Sequence, residues 1–184
     1  GQWYVGARSS VSAAFQLWRT WVGLRNTWIL WRKPRHRRNV RQARKILRTL
    51  RGITSDTAVL SYVQKISPYV FEELVLELFC EAGWLVWRSP SYSGDGGWDG
   101  QVRHPLYGKC LVQSKRYTHA ISVQHVRDFV HVVGRKRWGF FVHCSTHSNS
   151  VVAMTKGSRV RMVSGLFLVN AIRNPQKYLG LAET

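Results

Sequence analysis

Asp99 follows the glycine-rich turn Gly94-Asp-Gly-Gly-Trp98, and Lys115 closes the short apolar run Cys110-Leu-Val-Gln-Ser-Lys115, with Gln113 two residues before it. Side chains alternate faces along a strand, so Gln113 and Lys115 share one side. A hairpin-like path through Pro105-Leu-Tyr-Gly108 brings that side next to Asp99. The pairing sets an oxygen ligand suited to a hard cation beside a fixed positive charge. Metal-assisted cleavage of a phosphodiester is the chemistry such a pair can do.

Positioning these residues takes an α/β scaffold. Ser67 followed by Pro68 marks a helix start. The spacing of Val70, Phe71, Leu74, Leu78 and Phe79 continues that helix to a stop at Gly83. Glu72 and Glu73 then point about 100° apart, so only one can face a site beside the apolar stripe. Glu73 and Glu77 are expected to face solvent, as most helical carboxylates do. Strands are expected at Trp84–Arg88, Trp98–Arg103 and Lys109–Tyr117, the last nearly continuous in its apolar part and therefore central. An amphipathic helix from Ser122 to Gly134, a fourth strand Trp138–Cys144, a helix after Ser148, a strand at Leu166–Val169 and a short element near Pro175 complete the order. The fourth strand, reached through a helix, should run parallel to the third by a right-handed crossover.

Several blocks then fall into one ordered pattern. Phe71-Glu72-Glu73-Leu-Val, Gly83-Trp84, Gly94-Asp-Gly-Gly-Trp-Asp99-Gly, Val112-Gln113-Ser-Lys115-Arg-Tyr, Val126-Arg-Asp-Phe129 and Gly139-Phe-Phe-Val-His-Cys-Ser-Thr146 resemble the catalytic domain of Mrr-type restriction endonucleases. That group belongs to the PD-(D/E)XK nuclease superfamily, whose relatives include archaeal Holliday-junction resolvases. The resemblance covers about residues 66–172. It implies a restriction-endonuclease-like core, a central mixed β-sheet flanked by helices, acting as a metal-dependent endodeoxyribonuclease on DNA. Carried over to this chain, it implies Glu72 as the helix-borne acid, Asp99 as the main metal ligand and Lys115 as the catalytic lysine. Gln113 stands in the slot usually held by Asp or Glu, which departs from the superfamily pattern and agrees with the Mrr branch. The implied cofactor is Mg²⁺, with Mn²⁺ as a substitute, held by Asp99, Glu72 and a main-chain carbonyl near Ser114. Because Gln113 offers only a neutral carbonyl oxygen, one metal or two are both open. The alternative from another class is a nuclease-fold module of weak catalysis that tethers DNA to a membrane or a protein complex.

Composition is consistent with a polyanionic partner. The chain of 184 residues is 45% hydrophobic and carries a formal net charge of +19. Such a charge favours nucleic acid or an anionic membrane surface and disfavours acidic proteins or small neutral ligands. Residues 1–55 hold thirteen of the 28 Lys and Arg and none of the nine Asp and Glu. A boundary near Gly52–Asp56 therefore separates a basic, Trp-rich helical extension, 1–55, from a nuclease-like domain, 56–184. Arg32, Lys33, Arg35, Arg37, Arg38 and Arg41 read as a phosphate-binding arm, or else as a solvated basic face, and Arg116 beside the site is a further DNA contact.

Trp3, Trp18, Trp21, Trp28 and Trp31 crowd the same extension. With Leu17 and Leu24 beside Trp21 and Trp28, an amphipathic helix is expected over 13–31. Its stripe has three readings: packing on the nuclease domain or a second subunit, membrane-surface contact, and stacking on unpaired bases. A transmembrane span is disfavoured by Arg19 and Arg25. A homodimer is expected if both strands of a duplex are cut.

Cys80, Cys110 and Cys144 are odd in number and scattered, which fits buried thiols in a reducing cytoplasm, the expected location with a peripheral membrane contact as the variant. None of the seven histidines has metal-ligand spacing. His104 is the exception kept in view, since it shares a strand with Asp99. Asp95 could add a second carboxylate or simply cap its turn.

Overall fold

A computed structural model describes residues 3–89, 97–104 and 108–180. The central scaffold is a five-stranded sheet in the order β1-β2-β3-β4-β5: Leu85–Arg88, Gly100–His104, Gly108–Lys115, Trp138–His143 and Val160–Val163. The first two pairings are antiparallel and the last two parallel, so the sheet is mixed as expected. β3 lies in the middle, and its Cys110-Leu-Val stretch is fully buried because helices cover both faces.

Helices α1 to α4 span Trp3–Arg32, Pro34–Arg51, Asp56–Val63 and Pro68–Glu81. α5 to α8 span Val123–Val133, Asn149–Lys156, Gly165–Arg173 and Pro175–Tyr178. On one face of the sheet, α4 sets Phe71, Leu74, Leu78 and Phe79 against Val86, Val102, Cys110 and Val112. Each such side chain contributes about 1.5–3 kcal/mol by leaving water. α2 adds Ala43, Leu47 and Leu50 to this same cluster, and α7 adds Leu168, Ala171 and Ile172. On the other face, Val126, Phe129 and Val133 of α5 and Val151 of α6 cover Leu111 and Phe141.

The punctuation residues act where expected. Ser67 takes the N-cap position with Pro68 behind it, although its hydroxyl makes no cap bond. Gly83 follows α4 at φ +92° and Gly134 follows α5 at φ +65°, conformations that favour glycine. The expected turn over 105–107 lies outside the described residues.

Three expectations are corrected. Leu166–Val169 is not a strand; it lies within α7, where Leu168, Val169, Ala171 and Ile172 are buried at helical spacing while Leu166 and Phe167 stay exposed. The fifth strand is instead Val160–Val163, with its two valines buried and its middle turned outward. Cys80 is exposed, whereas Cys110 and Cys144 are buried free thiols. Finally, α1 extends from Trp3, and it docks through Val22 and Ile29 while Leu17, Trp21, Leu24, Trp28 and Trp31 remain exposed. Apart from Trp21, whose ring lies 5.3 Å from that of Trp87, the stripe is not the face through which α1 docks.

Candidate active site

Asp99 is fixed by the β2–β3 pairing. Its backbone N–H donates to the Val112 carbonyl at 2.8 Å, and its Oδ2 accepts from the Ser114 N–H at 2.5 Å. The register Gly100↔Val112, continued by one step, sets Asp99 across from Gln113. Gly100 lies close against α4: a Cβ at this position would come within 2.7 Å of Leu76 Cδ2, so any side chain there would make Leu76 shift.

That approach brings Asp99 to Glu72, which projects half-buried from α4. The two carboxylates line one small pocket with Leu76, Ser89 and Glu73. Burial, then the charges of Asp99 and Glu73, push Glu72 up to about 8 against the opposing pull of Lys115. Burial likewise pushes Asp99 up to about 6, opposed by the Ser114 N–H and by Lys115. Lys115, the last residue of β3, is thus close enough to act on both acids. Gln113 is half-buried on the same strand. The structure brings Glu72, Asp99 and Lys115 together, with Gln113 next to them in register.

Two desolvated carboxylates, with Asp99 raising the pKa of Glu72, form a hard-oxygen donor set short of positive charge. That chemistry fits a divalent cation held between Glu72 and Asp99. Among the described residues there is no group of three His, Cys, Asp or Glu side chains arranged to hold a metal ion. Asp95 lies outside the described residues.

Behind Glu72 lies an ionic network that the sequence reading missed. Glu73 and Glu77, expected in solvent, are buried. The Arg88 guanidinium donates to Glu73 Oε2 and Glu77 Oε1. His36 Nδ1 lies 3.1 Å from Glu73 Oε1, and Arg44 Nε donates to Glu77 Oε2 at 2.7 Å. Burial opposes the charge of Arg88, but Glu73, Cys80 and Glu77 outweigh it and its pKa rises. Arg51 extends the pattern to Glu81 at 2.5 Å. Glu73, Glu77 and Glu81 sit at i, i+4, i+8 on α4, and that spacing was the signal available in the sequence.

The other candidates fall elsewhere. His104 ends β2, at the opposite end from Asp99, and its ring lies 5.1 Å from that of Trp84. His143 is fully buried, and its Nδ1 accepts from the Ser145 N–H, which leaves Nε2 to donate to His147 Nδ1 at 3.0 Å. Burial, with the adjacent His147, lowers His143 to about 4, so the residue across from Lys115 in the β3–β4 register adds no charge to the site. Arg116 donates to the Gln64 carbonyl at 2.6 Å. Arg35 stacks over Tyr69 at 4.5 Å, and Arg32, Lys33, Arg37, Arg38 and Arg41 are exposed.

The family profile Mrr_cat, described as restriction endonuclease, matches residues 63–172. No curated protein matches the chain. Among solved structures, the chain is similar to one described as MspJI restriction endonuclease in complex with a 27-mer oligonucleotide, at 20% identity and a TM-score of 0.39. The match covers 76% of this chain and 31% of that one.

Proposed function

The chain belongs to the Mrr_cat restriction endonuclease family, and from that premise we propose that it is a divalent-metal-dependent endonuclease that hydrolyses DNA phosphodiesters. The observation that carries the reading is the pair of desolvated carboxylates, Glu72 and Asp99, assembled on α4 and β2 within the influence of Lys115. Glu72 and Asp99 would hold Mg²⁺, with Mn²⁺ as a substitute. When bound, the cation activates a water and neutralises charge on the scissile phosphate. Asp99 is kept in place by two bonds to β3, so its carboxylate is preorganised before any ligand arrives. Lys115 offers its ammonium to the charge that develops on the phosphate. Gln113 supplies a carbonyl oxygen without adding negative charge to a site that already disfavours two carboxylates. The exposed basic side of α2 and the high net charge would hold the duplex through its phosphates.

Digestion of plasmid DNA with and without Mg²⁺ tests the reading. Cleavage is expected only with the cation. Asp99→Asn should abolish cutting while leaving DNA binding nearly intact, because one hard anionic ligand is lost from an unchanged basic surface. Lys115→Ala should slow cutting by on the order of 10²-fold or more. Undiminished cleavage by Asp99→Asn would refute the site. Tight DNA binding without metal-dependent cleavage by the unaltered chain would instead support a tethering module.

A further inference from the structure

We infer that the exposed apolar face of α1 is a self-association surface that pairs antiparallel with the same face of a second copy of this chain. Ala14, Leu17, Trp21, Leu24, Trp28 and Trp31 follow one another in alternating steps of three and four residues. That 3.5-residue repeat keeps a seam on one side of a helix and is the pattern of helix-on-helix pairing. The five large members are 74%, 53%, 65%, 56% and 71% exposed in chain order. α1 meets its own domain through a different side. Val22 and Ile29 are buried, Asn26 donates to the Val86 carbonyl at 2.5 Å, and Arg25 stacks 3.7 Å over Trp87. Trp21 reaches both sides, its ring 5.3 Å from that of Trp87.

The flank of the seam selects the occupant. A helix that lies on a lipid surface carries a Lys/Arg-rich polar face, and a groove for unpaired bases needs cations along the backbone. Here the side of α1 away from the domain carries Gln16, Thr20, Gly23 and Thr27 beside Arg19, and the Thr20 and Thr27 hydroxyls are bonded within the helix. Arg25 and Arg32, the cations on the other flank, stack on Trp87 and Trp28. Among the described residues no helix is long and apolar enough to cross a membrane. The outer edge, with four uncharged residues to one arginine, instead lets two copies of a strongly basic chain approach with little repulsion along that side. Antiparallel pairing sets one class of seam position against the other, so the layers become Ala14 on Trp31, Leu17 on Trp28 and Trp21 on Leu24. Each layer then joins a large side chain to a smaller one, as close packing requires, whereas a parallel pair would press tryptophan on tryptophan. Closing the seam would cover roughly 600 Å² on each copy, or about 1,200 Å² in total, the lower edge of specific interfaces.

The interface stands on α1 alone; its consequence, two Glu72/Asp99 sites in one particle as cutting both strands requires, rests on the nuclease reading. The test is the mass of the full chain by light scattering at high salt without DNA, so failure of the nuclease reading would not alter it. The unaltered chain should show twice the chain mass. Leu24→Glu should halve that mass while the far-UV circular dichroism stays unchanged, because Leu24 is exposed in the single chain. The milder Leu24→Ala should raise the dimer dissociation constant about tenfold or more. A monomeric unaltered chain, or a dimer indifferent to Leu24→Glu, would overturn the proposal. So would a monomer that floats with phosphatidylcholine/phosphatidylserine vesicles and loses this on Leu24→Glu, which would assign the seam to a lipid surface.

Discussion

Glu72 and Asp99 are held where ionisation costs the fold energy, and this gives the free protein a definite pH dependence. The folded pKa of Glu72 is raised from 4.5 to about 8, so its contribution to stability is fully present below the unfolded value and is lost as pH rises through the folded one. Asp99, raised from 3.8 to about 6, adds to the loss in the lower part of that window. In the presence of a chelator the melting midpoint should therefore fall between about pH 5 and pH 8. Glu72→Gln should flatten this decline and stabilise the protein at about pH 8 by about 1–3 kcal/mol, since a neutral amide relieves both the buried charge and its repulsion with Asp99. Mg²⁺ should raise the midpoint of the unaltered protein at that pH and do little for the variant. Melting curves across this range decide the matter. A profile that Glu72→Gln leaves unchanged would count against the raised pKa.

At the scale of elements, α4 is held from both sides, by apolar side chains toward the sheet and by its acidic stripe toward α2 and β1. Arg88 is the centre of that polar side, with both partners buried, so Arg88→Met strands Glu73 and Glu77 and should cost about 3–5 kcal/mol in urea unfolding. Glu81→Ala removes the partly exposed pair with Arg51 and leaves the Arg51 bond to the Ile172 carbonyl in place, so it should cost only about 0–1 kcal/mol. Equal effects would mean that the network adds nothing beyond surface ion pairing. The same contrast explains what was legible in the sequence. α4, β3, α5 and β4 carry long apolar patterns with clear stops, and Asp99 meets β3 through a local hairpin, so these elements and the Asp99–β3 pairing could be read directly, whereas the choice of Glu72 over Glu73 came from the resemblance. β5 was missed because Val160-Arg-Met-Val163 has only two buried residues, while Leu166-Phe-Leu-Val169 imitates a strand by composition. Glu73 and Glu77 were misjudged because their partners, His36, Arg44 and Arg88, come together only in three dimensions.

For the whole molecule, the question is how an excess of positive charge coexists with a packed fold. α2 divides its residues between the two tasks: Val40, Ala43, Leu47 and Leu50 face the core, and Arg37, Arg38, Arg41 and Lys45 face solvent. Arg41 and Lys45 also line a cleft of about 1010 Å³ shared with Tyr62 and Lys65 of the α3 region, clear of Glu72 and Asp99. Deleting residues 1–55 would remove that core face together with the charge, so side-chain neutralisation is the cleaner test of DNA binding. Replacing Arg37, Arg38, Arg41 and Lys45 by glutamine leaves the buried face of α2 intact. If all four contact phosphates of a duplex, the slope of log K against log salt should become shallower by roughly 3 to 4 units, with affinity falling most at low salt. Cleavage by the variant should persist at low salt, because Glu72, Asp99 and Lys115 are untouched. Binding titrations at several salt concentrations measure the slope. An unchanged slope would place the DNA path elsewhere on the surface and leave the outer side of α2 as a solvated face.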